Sequence, residues 1–90
     1  MNNGNVDQKD VKDGKFRTSD LYYAAFLKVA GVPFHETERD GDRVFFLFES
    51  IEGLRDLRNQ YYHRTAKVTA LTFVDEIRTM KNLTHMAQER

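Results

Sequence analysis

The stretch from Thr18 to Gly31, TSDLYYAAFLKVAG, limits what this chain can fold into more than any other. Thr18, Ser19 and Asp20 are residue types that cap helix starts by accepting from orphan backbone N–H groups, and Gly31 is the type that ends helices. Of the residues from Leu21 to Ala30, only Lys28 is charged. A helix apolar around most of its circumference cannot lie on a surface and needs partners on more than one side. The rest of the chain is therefore expected to wrap this helix.

At 90 residues the chain makes one domain near the lower size limit, burying only about 60 to 65% of its unfolded surface. Seven Phe and four Tyr fill a small core efficiently, because aromatic side chains bury the most area per residue ordered. No cysteine is present, so disulfides and Cys-containing zinc sites are excluded, which fits a reducing compartment. The start of the chain has no apolar run and no segment approaches a membrane-spanning length, so a soluble, cytoplasmic protein is expected. Formal net charge is zero, unlike the strongly basic balance of proteins that hold nucleic acid by charge alone.

Residues 1–14, MNNGNVDQKDVKDG, are read as a disordered N-terminal arm, since Asn, Asp, Lys and Gly with two valines cannot offset their ordering entropy. Asp7, Asp10 and Asp13 recur every third residue, not at the alternate spacing of a calcium loop. A short strand or lead-in at Lys15 to Arg17 precedes the helix.

After Pro33, two alternating runs, Phe34 to Arg39 and Arg43 to Glu49, flank Asp40-Gly41, a strong hairpin signal. With Asp40-Gly41 as the loop, Glu38 faces Arg43, Thr37 faces Val44, Glu36 faces Phe45 and His35 faces Phe46. One face then carries His35, Thr37, Val44, Phe46 and Phe48 and is assigned to the core. The other carries Phe34, Glu36, Glu38, Phe45 and Leu47, and its apolar residues are either covered or form a contact surface.

Ser50 is read as the N-cap of a helix from Ile51 to about His63, with Ile51, Leu54, Leu57 and Tyr61 as its apolar stripe. Thr69 caps the last helix, with Val68 and Phe73 as a hydrophobic staple and Phe73, Val74, Ile77 and Met80 buried. Beyond Leu83 the apolar residues thin out, so residues 85–90 are expected to fray. The expected fold is a single α+β domain over residues 15–84, of two to three layers: lead-in strand, central helix, β-hairpin, then two helices.

The segments FRTSDLYYAAFL, RVFFLFES and TAKVTALTFVDEIR resemble a family of small prokaryotic domains of unknown function, often carried on phage or mobile-element DNA. The resemblance spans most of Phe16 to Arg78 and implies structural roles: Thr18, Ser19 and Asp20 as caps, Ala24 and Ala25 at packing positions, Phe46 and Phe48 in the core. It implies a bacterial or viral setting and brings no mechanism.

No catalytic, metal or cofactor site is predicted. His35, His63 and His85 fall on different elements without metal-ligand spacing, and His35 reads as a core histidine. Glu36 and Glu38 share a face but no cleft, and the glycines fit no phosphate-binding loop. Two surfaces remain. Arg58 to Lys67, RNQYYHRTAK, interleaves basic and aromatic residues with no acid, the pattern for phosphate contact plus base stacking, with Arg58, Tyr62, His63, Arg64 and Lys67 as candidate nucleic-acid contacts. Phe34, Phe45 and Leu47 form a candidate protein-contact face. The favoured expectation is a non-catalytic protein-interaction or self-assembly module, with a protein partner or a homo-oligomer and no membrane association. A weak nucleic-acid-binding module is the alternative.

Overall fold

The computed structural model describes residues 11–89. Among the described residues seven elements occur in order: β1 (Val11–Lys12), β2 (Lys15–Thr18), α1 (Leu21–Val29), β3 (Phe34–Asp40), β4 (Arg43–Glu49), α2 (Leu54–Tyr62) and α3 (Ala70–Gln88). The strands form one antiparallel sheet in the order β1-β2-β4-β3. This is the α+β class expected, with β2 paired along β4 rather than standing apart from the hairpin.

The start of α1 is fixed by its own sequence. Asp20 Oδ1 accepts from the Tyr23 N–H at 3.1 Å, and Thr18 Oγ1 accepts from the Asp20 N–H at 3.1 Å, so side-chain oxygens satisfy donors that the first turn leaves without partners. At the other end Gly31 is left-handed, at φ 90. Its N–H reaches Lys28 O at 3.1 Å while the Val32 N–H reaches Leu27 O at 3.0 Å, the paired bonds of a Schellman end. Between these caps Tyr23, Ala24, Ala25, Phe26 and Leu27 are all buried. Five consecutive buried residues cover more than one full turn, so the middle of α1 is enclosed on every side, while Tyr22 in its first turn is exposed.

The enclosing groups come from three directions. Phe16, Phe46 and Phe48 rise from the inner sheet face, Leu54 comes from α2 and Met80 from α3, and all belong to one core with α1. The Tyr61 ring of α2 stands 5.3 Å from both Tyr23 and Phe26. Helix α3 runs antiparallel to α1: Lys28 Nζ lies 3.9 Å from Glu76 Oε1, and Leu21 lines a crevice with Thr84 and Gln88.

Several expectations are corrected. The hairpin loop is Gly41-Asp42, so Arg39 faces Val44, Thr37 faces Phe46 and Glu38 faces Phe45. The register moves by two residues, which preserves the faces because side chains alternate with period two. A bulge between Phe34 and Glu36 then breaks the alternation at the start of β3. It turns Phe34 inward, opposite Phe48 with ring centroids 5.2 Å apart, and expels His35, which is exposed with Nε2 2.9 Å from Glu49 Oε1. His35 is thus not a core residue.

Ser50 does not cap α2. Ile51 to Gly53 form a turn, Gly53 is the N-cap, and the helix begins at Leu54. Val74 is exposed, leaving Phe73, Ile77, Met80 and Leu83 as the apolar side of α3 that meets the core. The frayed tail is also corrected: α3 continues to Gln88, Ala87 is buried, and Arg39 Nη1 donates to Gln88 O at 3.1 Å. A cation on the last carbonyls favours a helix end. Of the expected arm, residues 1–10 lie outside the described residues, whereas Val11 and Lys12 form β1. Asp13 and Gly14 both have positive φ, 56 and 76, the requirement of a type I′ turn.

Candidate functional site

The two sheet faces differ in kind. The inner face, with Phe16, Val44, Phe46 and Phe48 buried, is the floor of the core. The outer face carries Lys15 and Arg17 from β2, Phe45 and Leu47 from β4, and Glu36 and Glu38 from β3, by the alternation of paired strands. Phe45 and Leu47 are only half-buried, and neither belongs to the core nor to the residues packed on it. The partial cover of Phe45 comes from a charge. The Arg17 guanidinium lies 4.0 Å from the Phe45 ring centroid, and its Nη1 is 3.4 Å from Glu38 Oε1. Arg17 therefore crosses β4 from the basic strand to the acidic one, laying its stem over apolar surface while its head stays wet. Nothing local announces that β2 pairs with β4, so Arg17 is absent from the residues the sequence singles out. Of the candidate contact face, Phe45 and Leu47 stand together and Phe34 lies on the opposite side of the sheet.

The basic-aromatic segment is divided. Tyr62 is 45% exposed, yet its OH donates to Asp20 Oδ2, its ring is 5.2 Å from Tyr23 and 4.9 Å from Tyr61, and the Arg58 guanidinium lies 5.2 Å over it. Burial first, then the hydrogen bond to Asp20, hold the Tyr62 phenol above its ordinary range. Burial, then the charge of Asp20, raise Tyr61 in the same direction. These contacts make Tyr62 and Arg58 a lid on the α1–α2 seam. His63, Arg64 and Lys67 are exposed at the end of α2 and in the loop beyond. Arg64 is left-handed at φ 64, and the Arg64 N–H to Tyr61 O and Thr65 N–H to Gln60 O bonds repeat the Schellman pattern.

A shallow crevice of about 270 Å³ opens at the turn end of the sheet, between Ser19 and Leu21, Arg43 and Val44, and Thr84 and Gln88. Among the described residues lining it, Arg43 is the one ionisable group, which supplies no acid–base pair. The histidines are far apart in role: His35 beside Glu49, His63 at the C-cap of α2, His85 on α3. Among the described residues no three His, Asp or Glu side chains gather as a metal site would require. Sequence reasoning also misses the start of α3, where Leu71 is 76% exposed beside exposed Val68 and Val74. Leu71 and Val74, at i, i+3 on α3, share one side of the helix, a signal that the assignment of Val74 to the core conceals.

The fold is a small mixed α+β domain, and among the described residues no helix is long and apolar enough to cross a membrane. The chain belongs to the family described as a domain of unknown function (DUF5659), which matches residues 13–86. No curated protein and no solved structure matches the chain.

Proposed function

We propose that the chain is a small non-catalytic protein-interaction module whose contact surface is the outer sheet face centred on Phe45 and Leu47. The observation that carries this reading is the position of those two residues. They are apolar, adjacent on one face of β4, outside the core, and bordered by charges of both signs. An apolar centre with a charged rim is the anatomy of a protein contact patch. The setting we infer is a cytoplasmic protein set of bacterial, phage or mobile-element origin, supported by the absence of cysteine and by the resemblance of TSDLYYAAFL to domains of that kind.

The test is a photo-reactive residue in place of Leu47, in the full chain expressed in its native cells. A discrete protein adduct that vanishes on adding Phe45→Asp supports the reading. An adduct from a probe at Leu71 but none from Leu47 would move the contact surface to α3 and overturn it.

The second reading, weak nucleic-acid binding, is favoured by the exposure of His63, Arg64 and Lys67 with no acid from Arg58 to Lys67. It is weakened by the engagement of Tyr62 and Arg58 within the fold, which removes the ring most needed for stacking. A gel-shift titration at low salt, on single- and double-stranded DNA and RNA, decides it: a shift lost when Arg64 and Lys67 become Ala would establish nucleic-acid contact.

A further inference from the structure

We infer that the occupant of the outer sheet face is a second copy of this chain, stacked face to face about a two-fold axis that runs along β4. The inference rests on the contact surface proposed above and adds the identity of the partner.

The strand register carries the argument. Leu47 is paired with Arg17 on one side and Glu36 on the other, so one row of the outer face reads Arg17, Leu47, Glu36. A two-fold along β4 exchanges the flanks of that row. It places each copy's Arg17 over the other copy's Glu36 while Leu47 meets Leu47 and Phe45 meets Phe45. Within its own chain Arg17 already leans to Glu38, and among the described residues Glu36 has no ion-pair partner, so an acceptor is left for the incoming guanidinium. A two-fold perpendicular to the strands would instead lay β2 on β2 and β3 on β3, setting base on base and acid on acid. The axis along β4 superposes Arg43 on Arg43 and Glu49 on Glu49, but both lie at strand ends. Stacked sheets cross at about 30°, which carries the ends apart. The chain's zero net charge adds no overall repulsion between copies. Strands about 4.8 Å apart rising about 3.3 Å per residue give a face of roughly 14 by 20 Å. That is below the standard interface size, so the dimer is weak, half-formed at about 10–100 µM.

The experiment is sedimentation equilibrium of the full chain from about 5 to 500 µM, with circular dichroism on every variant to confirm folding. The parent is expected to dimerise, and Arg17→Glu and Glu36→Lys each to weaken dimerisation at least about tenfold, since each faces like charges across the axis. In an equimolar mixture of the two variants, one cross-copy contact joins the two introduced side chains, carboxylate against ammonium. The other joins the unchanged Arg17 of one variant to the unchanged Glu36 of the other, so the mixture is expected to dimerise within about threefold of the parent. A misfolded variant cannot produce that rescue. A parent monomeric throughout, a dimer indifferent to both changes, or a mixture no tighter than its components would each overturn the inference. A monomeric parent whose Leu47 probe still gives a Phe45-dependent adduct sinks the second copy and leaves the contact surface standing. A monomeric parent with no such adduct sinks both.

Discussion

Phe48 and Phe45 are the same residue three places apart on one strand, and they meet different surroundings. Phe48 is fully buried, faces Phe16 and Phe34 across the sheet and belongs to the core around α1. Phe45 is half-covered by a guanidinium that an exposed glutamate shares. Hydrophobic burial scales with area removed from water, whereas an exposed ion pair contributes about 0 to 1 kcal/mol. The comparison teaches that this small fold concentrates its stability on the α1 side of the sheet, with the outer side contributing little to it.

The largest effect should come from Ala25, fully buried in the middle of α1. Ala25→Lys forces both volume and charge into a closed site and should cost more than about 4 kcal/mol, enough to unfold the domain. Circular dichroism without a cooperative melt is the expected result, and a variant melting like the parent would deny that α1 is enclosed. Next, Phe48→Ala should cost about 3–5 kcal/mol, against about 1 kcal/mol for Phe45→Ala, which loses a cation–π contact and partial cover. Urea unfolding of both variants checks the contrast directly, and equal losses would erase the distinction between the faces.

How much of the fold is legible in the chain depends on where the information lies. The caps, apolar run and glycine of α1 are local, so the helix and its enclosure can be read directly. The alternation Val44, Phe46, Phe48 against Phe45, Leu47 is local too, and it identifies two of the three candidate face residues. Phe34 is misplaced by that alternation because the bulge at His35 has no local signature; it is set by how β3 meets β4. Asp13-Gly14 offers the same turn signal as Asp40-Gly41, but the polar composition around it outweighs the signal, and β1 reads as arm. Pairing of β2 with β4 and the capping of α3 by Arg39 are contacts between distant segments, which is why Arg17 and the length of α3 are not visible locally.

A smaller effect comes from the seam between α1 and α2. Asp20 both caps α1 and accepts from Tyr62 of α2, so Asp20→Ala should cost about 1–2 kcal/mol. The same seam carries a pH dependence. With the folded phenols of Tyr62 and Tyr61 raised above their ordinary range, the folded state holds those protons longer than the unfolded chain. Their stabilisation is fully present below about pH 10 and is lost as pH rises beyond it. Thermal melts from pH 8 upward should fall more steeply for the parent than for Tyr62→Phe, and parallel curves would show that the seam is not protonation-linked.

The smallest effect sets the two Schellman ends against each other. The α1 end places Gly31 at φ 90, and the α2 end places Arg64 at φ 64. An L-residue there costs about 1–2 kcal/mol relative to glycine, while glycine adds back about 0.4–1 kcal/mol through the freedom of the unfolded chain. Arg64→Gly should therefore stabilise the domain by roughly 0.5–1 kcal/mol. Gly31→Ala should destabilise it by a similar amount through backbone strain alone, because a Cβ at Gly31 would meet open space. Opposite signs in paired melts would show that the same hydrogen-bonded end is relaxed on the buried helix and strained on the exposed one. That would extend the contrast between the enclosed and the open side from the sheet to the helices. If Arg64→Gly proved destabilising, the Arg64 side chain would have to make a contact that outweighs its backbone, and the end of α2 would count among the stabilising parts of the fold.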